Sequence, residues 1–187
     1  MKKIEVVPYD LIWPIEFEKA KYFYENWLKD VDVEVVHVGS TSIEGLWAKP
    51  ILDIDIIVNT PDDNMKVIHL LEQAGYIHRG IMGIEGREAF KYKADNPHIN
   101  WMTHHLYVCL RNSESLTNHL LLQSHLRNNP KAIEEYSQLK RHLAKVYPFD
   151  IDAYVEGKTK LITEFLEAQG MDSTSIEKIE IANKKNN

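Results

Sequence analysis

The stretch HVGSTSIEGLWAKPILDIDIIV, residues 37–58, decides the fold. It is typical of a short apolar strand that ends at Gly39-Ser40, a loop containing glycine and proline, and a second strand over residues 51–58. The second strand carries Asp53 and Asp55 inside an isoleucine-rich run. Two negative charges two positions apart in such a strand require a physical reason.

Side chains two positions apart in a strand point to the same face of a sheet. One face of this strand is therefore wholly apolar and is predicted to lie in the core; its members are Leu52, Ile54, Ile56 and Val58. Asp53 and Asp55 share the other face, with their Cα atoms about 6.5–7 Å apart. Unpaired carboxylates at that distance repel by about 2–3 kcal/mol at an effective dielectric near 20. Either water screens them on a solvated face, or a divalent cation binds both, since hard cations take several carboxylate oxygens.

The turn before the acidic strand has the composition of a phosphate-binding loop. Gly39 permits close approach to the backbone, and consecutive N–H groups together with the hydroxyls of Ser40, Thr41 and Ser42 can bind phosphate oxygens. The alternative is an ordinary turn with a hydroxyl cap. The Walker A spacing and the dinucleotide-binding glycine pattern are both absent. A phosphate-binding turn beside an Asp-x-Asp strand suits metal-assisted phosphoryl or nucleotidyl transfer.

The rest of the chain predicts an α+β fold with a mixed sheet, helices on one side of it, and a C-terminal helical segment. The predicted strands are 33–39, 51–58, 76–81, 88–94 and 104–110, and the predicted helices are 14–30, 65–75 and three segments between 115 and 169. We expect an α/β core over residues 1–112 and a helical part over residues 113–170 packed on it. Residues 171–187 form a polar tail that we expect to be frayed.

The 187 residues are 44% hydrophobic and 27% charged, which suits one compact domain with a substantial core. The single cysteine, Cys109, excludes an intrachain disulfide framework and a cysteine-rich zinc site. A net charge of −6 disfavours a broad nucleic-acid-binding surface, although a local basic groove is compatible with it. No apolar run is long enough to cross a bilayer and no signal-peptide pattern is present, so we expect a cytoplasmic protein without a membrane partner.

Gly39-Ser40 followed by Asp53-Ile54-Asp55 resembles the hallmark of the polymerase beta-like nucleotidyltransferase superfamily. Residues 37–58 as a whole resemble, more closely, the signature of the GrpB family, a domain also found fused to dephospho-coenzyme A kinase. Further similar stretches are VPYDLIWPIEFEKAK (7–21), LRNNPKAIEEYSQLKRHLA (126–144) and AYVEGKTKLI (153–162). The resemblance covers residues 6–166 and implies a nucleotidyltransferase-like fold with C-terminal helices.

The superfamily resemblance also implies functional roles. Asp53 and Asp55 would be catalytic residues that bind one or two Mg²⁺ or Mn²⁺ ions, and residues 39–42 would hold the phosphates of a nucleoside triphosphate. Classical members contribute a third acid from a later strand, but residues 104–110 contain none. His105 occupies the matching face, and it could be a metal ligand, a base, a substrate contact or a structural histidine.

Two cations are further candidates for binding phosphate. Lys49 directly precedes the acidic strand and could reach a phosphate or pair with Asp53 or Asp55. Arg87, next to Gly86, could bind phosphate or remain solvated. Four residues of the helical part fit the family pattern: Tyr136, Lys140, Tyr154 and Lys158. The pair Gln123-Ser124 replaces the usual Arg-Asp.

Three functions remain open. The first is an enzyme that transfers a nucleotidyl group to an unidentified acceptor, and the second is a nucleotide-binding module without full metal chemistry. The third is an accessory domain linked to coenzyme A synthesis, which rests on the fused relatives alone. The Asp53–Asp55 pair favours the first function, whereas the missing third acid favours the second.

Overall fold

The computed structural model describes residues 3–184 and contains a five-stranded mixed sheet. Its strands are β1 (Val33–Val38), β2 (Leu52–Val58), β3 (Tyr76–His78), β4 (Arg87–Tyr92) and β5 (His104–Leu110). Their order in the sheet is β1-β2-β5-β4-β3. β2 and β5 run parallel, and the other neighbours are antiparallel. The predicted mixed sheet is confirmed, with all five strands close to their expected positions.

Six helices accompany the sheet within the described residues. They are α1 (Ile12–Trp27), α2 (Pro61–Gln73), α3 (Glu114–Arg127), α4 (Pro130–Val146), α5 (Ile151–Ala168) and α6 (Ser173–Asn183). A 3-10 turn, Ser40–Ser42, follows β1. No helix within residues 3–184 combines the length and apolar character needed to cross a membrane.

The apolar face of β2 lies in the main core, as the alternation predicts. Its four residues are fully buried and pack with the inward faces of α1 and α2; the core includes Leu52, Ile54, Ile56, Val58, Trp13, Phe17, Tyr24, Val67 and Leu71. Burial of these large apolar side chains stabilises the fold by removing their surface from water. The two helices nearest the N-terminus therefore cover one face of the sheet.

The opposite face of β2 is covered by α3. Ile57 and Cys109 pack there against Leu116, and Asp55 has none of its surface exposed. Asp53, two residues earlier, is half-buried. The interpretation of this face as solvated is therefore wrong for Asp55, because a helix from a distant part of the chain packs on it and shields it from water.

Two helix predictions need correction. α2 begins at Pro61 rather than at residue 65, because the Thr60 side chain accepts a hydrogen bond from the Asp63 N–H and caps the helix. The polar tail expected to be frayed contains α6, whose first N–H groups are capped by Asp172. The cap, the burial of Ile176 and the ion pair of Lys178 with Glu114 together favour this short helix. The expectation for residues 185–187 lies outside the described residues.

The C-terminal helices form a second core with the loop that follows the 3-10 turn. Ile43 and Leu46 of that loop pack against α3, α4 and α5; the helical members are Leu126, Ala132, Tyr136 and Phe165. This packing holds α4 and α5 over the turn that follows β1, which brings their polar side chains to the acidic strand.

Candidate functional site

The turn after β1 lies directly against the acidic strand. Gly39 has a φ of +67°, and a Cβ at this position would overlap Asp53 Oδ2. The antiparallel register pairs Val38 with Asp53, which explains the approach. Only glycine fits here, on grounds of both backbone conformation and space. The predicted phosphate turn and the predicted metal ligand therefore adjoin each other.

The three hydroxyls of the turn have different environments. Ser42 Oγ donates to the Gly39 carbonyl at 2.7 Å, and the buried Thr41 Oγ1 donates to the Ile51 carbonyl at 3.3 Å. These two side chains hold the turn together. Ser40 Oγ instead accepts a hydrogen bond from Lys140 Nζ at 3.1 Å. Ser40 is thus the hydroxyl of the turn that points toward the cationic side of the site.

The two carboxylates of β2 are in unlike surroundings. Asp55 Oδ2 accepts a 2.6 Å hydrogen bond from His119 Nδ1, whereas Asp55 Oδ1 is buried without a hydrogen-bond partner. The pKa of Asp53 is raised, first by burial and also by the negative charge of Asp55. Electrostatic interactions with His105, His119 and Lys49 oppose that rise.

The parallel register of β2 and β5 sets His105 opposite Asp53 and Tyr107 opposite Asp55. His105 is exposed. It therefore lies at the position where a third acid was sought, but β5 supplies no carboxylate. Among residues 3–184, no three His, Cys, Asp or Glu side chains are grouped so that they could hold a metal ion.

The two aspartates nevertheless suit a hard cation. Mg²⁺ and Mn²⁺ prefer oxygen ligands, and Mg²⁺ is commonly held by one or two carboxylates. A buried carboxylate oxygen without a partner is costly, and a cation bound to Asp55 Oδ1 would remove that cost. The carboxylate of Asp53 lies two positions away on the same strand and could supply a second oxygen ligand.

Three lysines converge beside the turn, and we refer to Lys49, Lys140 and Lys158 as the lysine cluster. Lys140 is only 2% exposed, and its Nζ lies 4.3 Å from the centroid of the Tyr136 ring. Lys158 Nζ and Lys49 Nζ lie 4.8 Å and 5.7 Å from the centroid of the Tyr154 ring. Aromatic faces stabilise these cations without neutralising them.

Burial is the main cause of the lowered pKa of each lysine in the cluster. The charge of Lys49 also lowers the pKa of Lys158, which is about 8, and the charge of Lys158 lowers that of Lys140. Asp53 opposes the shift in all three. The protonated forms of these lysines are thus poorly solvated and repel one another, and a bound anion would stabilise them.

Arg87, the other predicted phosphate ligand, contacts Tyr107 rather than the turn. Its guanidinium carbon lies 4.3 Å from the centroid of the Tyr107 ring, and its buried Nε has no hydrogen-bond partner. Burial raises the pKa of Tyr107 to about 12, with Asp53 contributing in the same direction and Arg87 opposing. Arg87 therefore lies on the β5 side of the acidic strand, and the lysine cluster lies on the side of the turn.

Two residues of α3, His119 and Gln123, contact the site although no site contact was predicted for them. His119 bonds Asp55, and Gln123 Nε2 donates to both the His37 carbonyl and Ser42 Oγ, each at 2.7 Å. Both lie at helical spacing from the buried Leu116 and Leu126, so the periodicity of α3 contained a signal that they face inward.

The comparisons with known proteins agree with this architecture. A family model described as GrpB protein matches residues 3–168. The glutamate-rich protein GrpB of Alkalihalophilus pseudofirmus is 32% identical over 155 residues, which are 82% of this chain and 88% of that protein. The UPF0157 protein YqkA of Bacillus subtilis is 31% identical over 86% of this chain, and the match spans only 46% of YqkA.

A solved structure is also similar. The crystal structure of the conserved protein GrpB from Enterococcus faecalis superimposes with a TM-score of 0.74 at 30% sequence identity. The match covers 89% of this chain and 100% of that one. The similarity thus includes both the sheet and the C-terminal helices. The family model, the sequence relatives and the similar fold together show that the chain belongs to the GrpB family.

Proposed function

We propose that this protein binds a nucleoside triphosphate together with Mg²⁺ or Mn²⁺ and transfers a nucleotidyl group to an acceptor. One observation carries the proposal: the lysine cluster, Ser40 and the Asp53–Asp55 pair converge on the Gly39 turn. Clustered cations next to clustered carboxylates suit a ligand that is itself a polyanion bound to a divalent metal. The resemblance of this motif to the nucleotidyltransferase hallmark supports the same interpretation.

The chain's own residues have defined roles in this proposal. Lys140 and Lys158 bind the phosphate oxygens, and Ser40 donates its hydroxyl once a phosphate competes for the Lys140 ammonium. Gly39, which has no side chain, lets the phosphates approach the backbone N–H groups of the turn. Because the lysine pKa values are lowered in the free protein, phosphate binding is accompanied by proton uptake at mildly alkaline pH.

Asp53 and Asp55 would hold the metal, with Asp55 Oδ1 as the oxygen left free by His119. A metal held there would neutralise part of the triphosphate charge and would help to activate the attacking oxygen. In the transfer, an acceptor hydroxyl oxygen bonds to the α-phosphorus, the bond from that phosphorus to the bridging oxygen breaks, and pyrophosphate leaves. His105, exposed and level with Asp53, accepts the hydroxyl proton.

A second candidate function is nucleotide binding without transfer. It is favoured by β5, which offers His105 and Tyr107 in place of an acid, and by the engagement of Asp55 Oδ2 with His119. Both candidates require the same lysine cluster, and they differ in whether the full metal chemistry is present and a transfer step takes place after binding. An accessory role in coenzyme A synthesis, implied by the fused relatives, stays a prediction.

A thermal-shift measurement with each nucleoside triphosphate, with and without Mg²⁺ or Mn²⁺, tests the proposal. We expect metal-dependent stabilisation by at least one nucleotide, its loss in Asp53→Asn/Asp55→Asn, and its retention in the surface control Asp30→Asn/Asp95→Asn. Absence of any nucleotide effect on the intact protein would contradict both candidates. Incorporation of an α-phosphate label into small molecules, RNA or protein then distinguishes transfer from binding.

A further inference from the structure

We propose that His119 is a positioning residue that fixes the Asp55 carboxylate with Oδ1 directed at the metal. This inference rests on the metal site of the proposed function, and it assigns a role to a residue of α3 that lies outside the turn and the acidic strand. His119 does not contact the metal or the nucleotide in this scheme. It engages one oxygen of Asp55 and fixes the plane in which the other oxygen is available.

The environment of Asp55 makes its orientation depend on one hydrogen bond. Asp55 lies in the interior of the sheet, paired with Val36 on one side and Tyr107 on the other. None of its surface is exposed, so water cannot hold its oxygens. The 2.6 Å bond from His119 Nδ1 engages Oδ2, and Oδ1 has no hydrogen-bond partner. Rotation of the carboxylate plane away from the His119 imidazole would break that bond, whereas a half-turn would only exchange the two equivalent oxygens.

His119 is itself held in place from both directions along α3. One turn earlier, Leu116 packs against Ile57 and Cys109. One turn later, Gln123 bonds Ser42 Oγ and the His37 carbonyl. The imidazole is therefore anchored relative to β2 and to the phosphate turn at once. A donor that is held in place can fix the orientation of a carboxylate. A donor on a mobile side chain would instead move together with the carboxylate.

Hydrogen bonds of this kind orient metal ligands, and their removal lowers metal affinity by about 10–100-fold in other sites. The role requires a donor at the position of Nδ1 rather than an imidazole ring. An asparagine side chain can present its amide nitrogen close to that position. His119→Asn should therefore preserve the orientation of Asp55, and His119→Ala should lose it.

Mn²⁺ titration followed by electron paramagnetic resonance tests the inference on the intact protein, without any activity measurement. We expect Mn²⁺ affinity to fall about tenfold or more in His119→Ala and to stay close to the wild-type value in His119→Asn. The matched control is His69→Ala, which removes an exposed histidine whose hydrogen bond is to Gln73 on the same helix. Each titration is made at a temperature where circular dichroism shows the variant folded.

The outcomes separate this inference from the proposed function. Equal Mn²⁺ affinity in wild type and His119→Ala would overturn the inference and leave the metal site standing, and equal losses in Ala and Asn would also overturn it. No Mn²⁺ binding by the wild type, with nucleotide present, would overturn both proposals. If His119→Ala does not fold, His119→Gln takes its place, because its donor lies farther from the backbone and should support Mn²⁺ binding less well than Asn.

Discussion

Gly39 is the point at which the phosphate turn and the acidic strand meet. Its Cα lies so close to Asp53 that an added methyl group would overlap the carboxylate. Gly45 offers a matched comparison, because it also has a positive φ, of +81°, but has nothing within 4 Å of an added Cβ. Alanine substitution at the two positions therefore distinguishes the effect of backbone strain, which both share, from the effect of collision with Asp53, which only Gly39 has.

We expect Gly45→Ala to lower the free energy of unfolding by about 1–2 kcal/mol, the cost of a left-handed alanine. Gly39→Ala should lower it further, because strain and collision act together, and should also abolish metal-dependent nucleotide stabilisation. Urea denaturation and thermal shifts of both variants measure the difference. Equal destabilisation of the two, with nucleotide binding intact in both, would show that the contact with Asp53 is not required.

The site residues that could be predicted from the sequence are those that lie close together along the chain. Gly39, Ser40, Asp53 and Asp55 belong to one turn and one strand, so alternation and composition indicated their placement. The spacing of His119 from Leu116 indicates that it faces inward but not which residue it contacts, because its bond to Asp55 spans 64 residues and depends on how α3 packs.

The helices α4 and α5 contribute the lysine side chains that lie beside the turn after β1. α4 presents Lys140 to Ser40, and α5 presents Lys158 beside Tyr154. The family pattern pointed to both lysines, but their convergence depends on the second core, in which Ile43 and Leu46 draw the helices onto the loop. Apolar packing between distant segments therefore decides where the charges meet.

The pKa of about 8 at Lys158 predicts a pH dependence of nucleotide affinity. The lysine is charged below that pH and loses its proton above it, so affinity should fall by up to about tenfold per pH unit as the pH rises above 8. Lys158→Arg should flatten this dependence, because a guanidinium stays protonated. Lys160→Arg, on the exposed side of the same helix, is the control.

Isothermal titration of a nucleotide–Mg²⁺ complex from pH 7 to about pH 9.5, a range that brackets the lysine pKa, measures this effect. A profile that is equally steep in wild type and Lys158→Arg would assign the pH dependence to another group of the site, such as Lys140 or Lys49. A flat profile in the wild type would mean that the nucleotide does not contact Lys158.

A buried polar network beneath the sheet links the stability of the fold to pH. His104 Nδ1 accepts a hydrogen bond from Trp101 Nε1 at 3.1 Å, and its Nε2 lies 3.0 Å from the Tyr76 hydroxyl and 3.2 Å from that of Tyr24. Burial lowers the pKa of His104 to about 4; the charge of His105 acts in the same direction, and the Met102 carbonyl opposes it.

We expect the protein to lose stability as the pH falls from about 6.5 toward 4. In that window the unfolded chain binds a proton at His104 and the folded chain does not, so the free energy of unfolding decreases with falling pH. The contribution of His104 amounts to about 1.5 kcal/mol between about pH 6.5 and pH 5. His37, whose pKa burial also lowers to about 4, acts in the same direction.

Urea denaturation between about pH 5 and pH 7 measures this slope. His104→Gln retains a donor and an acceptor but cannot titrate, so its slope should be shallower even if its stability at neutral pH is lower. His69→Gln, an exposed replacement on α2, should leave the slope unchanged. An identical slope in His104→Gln and wild type would exclude His104 as the source.

The positions of the strands and helices along the sequence were more predictable than the order of the strands in the sheet. Alternation and periodicity located the five strands and most of the helices, because hydrophobic patterns report which faces are buried. They do not report which strands are neighbours. The order β1-β2-β5-β4-β3 places β5 between β2 and β4, and the pairing of β2 with β5 joins segments that are far apart along the chain.

That strand order has a consequence for biosynthesis. β5 is the last of the five strands to leave the ribosome, yet it fills the middle of the sheet. Until it emerges, β2 has an open edge whose sequence, LDIDIIV, is rich in isoleucine. Open apolar edges of this kind pair readily with other chains. We expect the charges of Asp53 and Asp55 on that strand to disfavour such pairing between nascent chains before the sheet closes.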